Sequence, residues 1–173
     1  MDSSPPTTPE STTPTPRHER LDTIVAQVAA LDELVRLARR SIRVFDVDLS
    51  EMGWNSVARA DALLAFLRRS KHARLEIIVH DTRYLEGYAA RLQLLHQRYG
   101  DAITLCKTGP EGKTARDPLS IVDSRHYLHR FDIEQPRAAL GIEQPHAVIP
   151  LINRFDEIWA TRESTLPGTL LGV

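Results

Sequence analysis

The chain is poor in the residues that usually announce a function: among its 173 residues are one cysteine, two tryptophans and 6% aromatics, and its formal net charge is only -1. Each scarcity excludes something. A lone Cys106 cannot close an intrachain disulfide, and its setting in Ile103-Thr104-Leu105-Cys106 reads as core packing in a reducing compartment. A balance of 22 Lys and Arg against 23 Asp and Glu gives no global pull toward nucleic acid or an anionic membrane. No run approaches the roughly 20 apolar residues that cross a bilayer, and the amino terminus lacks the basic-then-apolar order of a secretory signal. The expectation is a soluble, cytoplasmic protein with no membrane partner. Paired-cysteine and His-Glu-x-x-His spacings are missing, so no metal or other cofactor is expected. A Ser120, His126, Asp123 triad fails because no Gly-x-Ser-x-Gly elbow presents the serine.

What the chain does contain is an ordered succession of elements. Residues 1–18 form a Ser/Thr/Pro-rich segment too poor in apolar side chains to offset the entropy of ordering, and they read as a disordered tail. Residues 19–163 read as one domain and 164–173 as an extension. Leu21, Ile24, Val25, Val28, Leu31, Leu34, Val35 and Ala38 recur at helical spacing up to Arg39-Arg40. Ile42 to Leu49 reads as a strand, and Asn55-Ser56 offer caps for a helix through Arg69. Leu75 to His80 is a buried-strand run, Asp81-Thr82 a cap for a single helix through Tyr99, and Gly100 its stop. Ala102 to Lys107, Leu119 to Val122 and His126 to Phe131 complete the strands. Pro145 falls in the first turn of a last helix striped by Val148, Leu151, Ile152, Phe155, Ile158 and Trp159. Strands separated by crossover helices favour an α/β sheet that is mostly parallel, with a late antiparallel hairpin and helices on both faces.

One segment suggests a family. Arg116-Asp117-Pro118-Leu119-Ser120-Ile121-Val122-Asp123 keeps the frame and final carboxylate of a His-x-Lys-x-x-x-x-Asp run, with Arg116 in the histidine position and Pro118 in the lysine position. With the element order and the phrases Arg43 to Leu49, Arg68-Arg69-Ser70, Leu75 to Asp81 and Phe155 to Trp159, the chain resembles one half-domain of the phospholipase D-like superfamily. More narrowly, about Leu31 to Glu163 resembles a bacterial domain of unknown function found alone or following GNAT-type acetyltransferase domains. The resemblance implies a three-layer fold, and pairing as a homodimer, since active members bring two His-Lys-Asp sets to one pocket. It also suggests an acetyltransferase or other protein as partner. In those members one histidine attacks phosphorus, another protonates the leaving oxygen, and the lysines stabilise phosphate charge. Arg116 is a poor nucleophile and Pro118 can do neither job. The expectation is a binding or regulatory module with no catalytic residues. An enzyme with altered residues acting on a phosphorylated or nucleotide substrate is the alternative.

In an open α/β sheet ligands bind beyond the carboxyl ends of the strands. That rule gathers Asp46, Asp48, His80, Asp81, Arg116 and Asp117 as ligand-binding candidates, with Arg130 nearby, and leaves His80→Ala expected to spare the fold. A cap or turn role competes at Asp81. Trp54, in the loop after the first strand, is placed to lid this crevice or cover the sheet edge. Arg36, Arg39, Arg40 and Arg43, and then Arg68, Arg69, Lys71, His72 and Arg74, precede strands and would share the opposite end of the sheet. They read as a solvated rim. A nucleic-acid or acidic-partner surface that binds phosphates without sequence readout, making the chain a small nucleic-acid-associated protein, is the alternative, but no exposed aromatics interleave with them to stack bases, so a nucleic-acid partner is the less expected reading.

Overall fold

The computed structural model describes residues 12–166. Among these residues the elements run from strand β1 (Arg17–Leu21) through α1 (Ile24–Leu37), β2 (Ser41–Asp46), α2 (Val57–Arg69), β3 (Arg74–Val79), α3 (Arg83–Gly87) and α4 (Ala90–Arg98) to β4 (Ile103–Thr108). A short 3-10 helix, Pro110–Thr114, leads to β5 (Leu119–Val122), β6 (His126–Asp132), β7 (Gln135–Ile142), α5 (Ile149–Ala160) and β8 (Arg162–Thr165). All eight strands form one sheet in the order β1-β7-β6-β5-β2-β3-β4-β8.

Local chemistry explains the starts of two helices. Thr23 accepts the Ala26 N–H at 3.1 Å to cap α1, and Ser56 accepts the Arg59 N–H at 3.0 Å to cap α2. Alternation along β2 then sends Ile42 and Val44 to one face and Phe45 to the other. Ile42, Val44 and Ile77 meet Leu31, Leu34, Leu63, Phe66 and Leu92 from α1, α2 and α4, whereas Phe45, Ile78 and Ile121 meet Phe155 and Ile158 from α5. The result is the expected three-layer α/β domain with helices on both faces.

The sheet is mixed rather than mostly parallel. Parallel pairing joins β2 to β3 and β3 to β4, and the other pairings are antiparallel. Tight turns bring β5, β6 and β7 back on themselves, and both ends of the domain add an antiparallel edge. Arg17 and His18, expected in the tail, are part of β1, and Ser164 and Thr165, expected in the extension, are part of β8. The expected tail residues 1–11 lie outside the described residues. Strand β7 is an addition to the expected strands, its sequence pattern interrupted by Pro136 and Gly141. Gly141 is required there, since a Cβ would stand 2.3 Å from the Tyr127 ring on the paired strand.

Three helical readings also change. The single helix expected through Tyr99 is two helices broken at Tyr88-Ala89. Val25 is 81% exposed, and Gln27 takes a core-facing position on α1 instead. Pro150, not Pro145, occupies the first turn of α5. Among the described residues no helix is long and apolar enough to cross a membrane.

Candidate functional site

The proposed crevice is divided by the pleat of the sheet. Asp46 ends β2 opposite Val79 of β3 and faces the α1 layer with Val44. His80, one residue past Val79, points the other way and meets the Phe45 ring edge-on at 5.1 Å. Parity therefore separates two candidates that adjacent strand ends suggested would converge.

Asp46 lies in a small cavity of about 20 Å³, space for a single water-sized group. Its polar lining comes from Gln27 on α1, Asp46 on β2, Trp54 in the following loop, Ser120 on β5 and Arg130 on β6. Leu31, Val44, Met52, Pro118 and Leu128 supply apolar walls. Gln27, Asp46, Trp54 and Arg130 are each at most 5% exposed. Burial pushes the Asp46 carboxyl up to about 6, against the lowering effect of a 2.6 Å hydrogen bond donated by the Val47 N–H.

Arg130 is held from three sides. Its Nε donates to the Gln135 carbonyl at 2.9 Å, Nη2 to the Ile133 carbonyl at 2.5 Å, and Nη1 to Glu51 Oε2 at 2.5 Å. The last contact fastens the β2–α2 loop over this end of the sheet. That loop turns through two positive-φ residues, Leu49 at 70° and Gly53 at 72°. Trp54 anchors it, with the Arg59 guanidinium 4.8 Å over its ring and Arg59 in turn bonded to Asp32 at 2.6 Å. The indole N–H of Trp54 and Oε1 of Gln27 are buried without a protein hydrogen-bond partner. Gln27 Nε2 donates to the Pro136 carbonyl at 2.9 Å, which fixes the amide so that its oxygen is the unpaired end.

The remaining candidates serve elsewhere. His80 bridges the Thr108 hydroxyl at 2.7 Å and the Ala115 carbonyl at 2.6 Å, with burial lowering its pKa. It clamps the 3-10 segment to the sheet. Asp48 accepts from the Ser50 N–H and hydroxyl. Asp81 accepts from the Arg83 backbone and guanidinium, the side-chain bond leading the effects that bring its carboxyl to about 2. Arg116 is half exposed and paired with Asp132 at 3.2 Å and Glu134 at 3.0 Å. Asp117 joins His129 at 3.0 Å to Arg154 of α5 at 2.9 Å. Asp123, in the left-handed turn between β5 and β6, accepts N–H bonds from Arg39, Arg40 and Ser41 at 2.9, 2.7 and 3.0 Å. That carboxylate ties the hairpin to the link between α1 and β2.

Three side chains of the basic rim, Arg43, Arg69 and Arg74, are engaged within the fold. Arg69 donates to the carbonyls of Ala38 and Arg36 at the end of α1, Arg74 donates to those of Lys71 and Ala73, and Arg43 faces Glu76 and Asp156. Among the described residues no three His, Cys, Asp or Glu side chains gather as a metal site.

A family model described as a domain of unknown function, DUF7931, matches residues 23–166. The chain belongs to this DUF7931 family. No curated protein matches its sequence. Among solved structures it is similar to Nuc of Salmonella typhimurium, a phospholipase D family member, at 14% identity over 88% of this chain and 99% of that one, with a TM-score of 0.62. NucT from Helicobacter pylori superposes with a TM-score of 0.54 at 12% identity, over 86% and 98% of the two chains. TrmBL2, an archaeal chromatin protein, gives 0.64 at 16% identity over 90% of this chain, which spans 56% of TrmBL2. At these identities the likeness shows the fold alone: this DUF7931 domain has a phospholipase D-like fold.

Two residues of the cavity carry a signal that is legible in the sequence. Gln27 interrupts an otherwise apolar helix face, and Ser120 interrupts a wholly buried strand. Glu51 had none, because its contact with Arg130 exists only once β6 lies beside β5.

Proposed function

We propose that this DUF7931 domain is a non-catalytic phospholipase D-like module that binds a ligand or partner instead of cleaving a phosphodiester. The observation that carries this reading is the state of Arg116 and Pro118. Arg116, where the related motif has its nucleophile, is paired with Asp132 and Glu134, and Pro118, where it has its lysine, is part of the apolar wall beside Asp46. Neither can attack phosphorus or transfer a proton at neutral pH. Asp123 keeps its identity on this reading because its work is structural, holding three backbone N–H groups.

The test is hydrolysis of bis(4-nitrophenyl) phosphate, 4-nitrophenyl phosphate and plasmid DNA by the purified chain across neutral pH. Rates equal to buffer support the module. Turnover that falls on Asp46→Asn would replace it with an enzyme of altered active-site residues. Assembly belongs to the same proposal: a second copy or another protein completes the module, and sedimentation velocity separates a dimer from a monomer awaiting its partner.

A further inference from the structure

A larger cavity, of about 160 Å³, opens where β2 begins, at the opposite end of that strand from Asp46. A water takes roughly 30 Å³, so a tetrahedral group with four oxygens fits. Arg36 in the last turn of α1, Arg39 just beyond it and Arg125 in the β5–β6 turn line the space. Complementarity to the carbonyl end of α1 explains a cation there, but not a further arginine from a separate turn. The carboxylates at the cavity are engaged. Asp123 holds the N–H groups of Arg39, Arg40 and Ser41, and Glu143 faces Arg125 at 3.6 Å and His126 Nε2 at 3.5 Å. Burial lowers the pKa of His126, whose Nδ1 accepts the Glu143 N–H at 2.9 Å, so the imidazole is neutral at pH 7. Arg36 and Arg39 are exposed, and among the described residues their guanidiniums have no hydrogen-bond or ion-pair partner. Two unpartnered guanidiniums are the complement of a phosphate monoester dianion. The chain itself brings hydroxyls to this place. Thr12 and Thr13 are exposed and complete the lining, and Pro14 favours extended backbone at Thr13. A few residues on, the chain is tied down as β1, where Arg17 pairs with Ile142, the neighbour of Glu143.

We infer that this cavity is a binding site for a phosphate monoester, supplied either by phosphorylation of Thr13 within the same chain or by a small soluble phosphomonoester. Arg36 and Arg39 donate to the phosphate oxygens, and Arg125 shares itself between them and Glu143. In the first case a protein kinase supplies the group. Thr13 Oγ1 bonds to the γ-phosphorus of a nucleoside triphosphate, the P–O bond to the β-phosphate breaks, the diphosphate leaves, and the hydroxyl proton passes to the kinase's base. The short tether to β1 then presents the phosphate at an effective concentration on the order of millimolar. The site is separate from Arg116 and Pro118, so it stands whether or not the chain hydrolyses phosphodiesters.

The experiment has two arms. In the first, the full chain phosphorylated at Thr13 is titrated with pH by phosphorus-31 NMR, folded and in urea. The expected result is a second phosphate ionisation about one pH unit lower in the folded chain, because guanidiniums favour the dianion. Arg36→Gln combined with Arg39→Gln removes that difference, whereas Arg68→Gln, at an exposed arginine outside the cavity, leaves it. In the second arm, O-phosphothreonine and inorganic phosphate are titrated into the unphosphorylated chain labelled with nitrogen-15, with sodium chloride at matched ionic strength as control. The backbone N–H signals of Arg125, His126 and Glu143 report binding, and unchanged signals in β3 and β4 show that the double variant is folded. A saturable shift removed by the double variant identifies a soluble monoester as a ligand. Fixed signals beside a lowered phosphate ionisation identify tethered Thr13 as the source. Phosphate at Thr13 that titrates alike in folded and unfolded chains, with no saturable shift from either soluble probe, overturns the inference. So do effects that persist in the double variant or that sodium chloride reproduces.

Discussion

Glu51 and Arg130 meet at 2.5 Å, joining the loop after β2 to a strand that lies beyond β5 in the sheet. One end of the pair is half exposed and the other is buried, so the contact holds the loop down from the solvent side while β6 keeps its cation in place.

Glu51→Gln removes the charge without removing the Gln135 and Ile133 carbonyl contacts of Arg130. The expected cost is about 1 kcal/mol, appropriate to a partly exposed ion pair. Amide hydrogen exchange should quicken in residues 48–54 and stay unchanged in β3 and β4. Equal protection in the two proteins would show that Trp54 and Arg59 hold the loop unaided.

Asp46 makes stability depend on pH in an unusual direction. Its carboxyl titrates at about 6 in the folded chain, above the ordinary 3.8, so between those values the folded state keeps a proton that the unfolded chain has released. Stability from this group is full below pH 3.8 and falls as pH rises through 6. Asp46→Asn should remove that slope and stabilise the chain at pH 7 by up to about 3 kcal/mol. Urea midpoints at pH 4 and pH 7 measure both effects, and a variant weaker than wild type at pH 7 would contradict the assignment.

Asp117 has the opposite sign. Burial alone would raise its carboxyl, but donation from His129 and Arg154 brings it to about 2. Its contribution is present above the ordinary 3.8 and is lost as pH falls through 2. Asp117→Asn should cost about 2 kcal/mol at pH 7 and much less near pH 2, because α5 then loses its tie to the lead-in of β5. Acid titration of the denaturation midpoint reads the difference, and an equal cost at both pH values would sink the ion-pair explanation.

His80→Ala should destabilise the fold, contrary to the expectation drawn from sequence that it would leave folding intact. The Thr108 hydroxyl, fully buried, and the Ala115 carbonyl both lose their partner, a loss of about 2–3 kcal/mol. Thermal unfolding checks this. A melting temperature equal to wild type would return His80 to the list of binding residues.

These four residues show what was legible in sequence. The strands β2, β3 and β4 and the helices α1 and α2 declare themselves by apolar runs, helical spacing and caps such as Ser56, which act over a few residues. Strand β1 does not, because Arg-His-Glu-Arg-Leu is polar and becomes a strand only through pairing with β7. The same limit applied to the site. Asp46 could be found as an acid inside a strand run, yet its separation from His80 follows from the register of β2 on β3, and its neighbours Gln27 and Arg130 arrive from elements far away in sequence. Asp123 could be singled out as the carboxylate that ends the Arg116 to Asp123 run, but its three backbone partners belong to a segment more than 80 residues earlier.

The most direct test of a chain without a nucleophile at Arg116 is a rapid-quench experiment with a large excess of bis(4-nitrophenyl) phosphate, read by intact-protein mass spectrometry. A phospholipase D-type reaction passes through a phosphorylated histidine, which adds a fixed mass to the chain. The result expected is the unmodified mass at every time point, with no burst of 4-nitrophenol. A transient adduct on any of its 7 histidines would contradict the non-catalytic reading and identify the nucleophile that replaces Arg116.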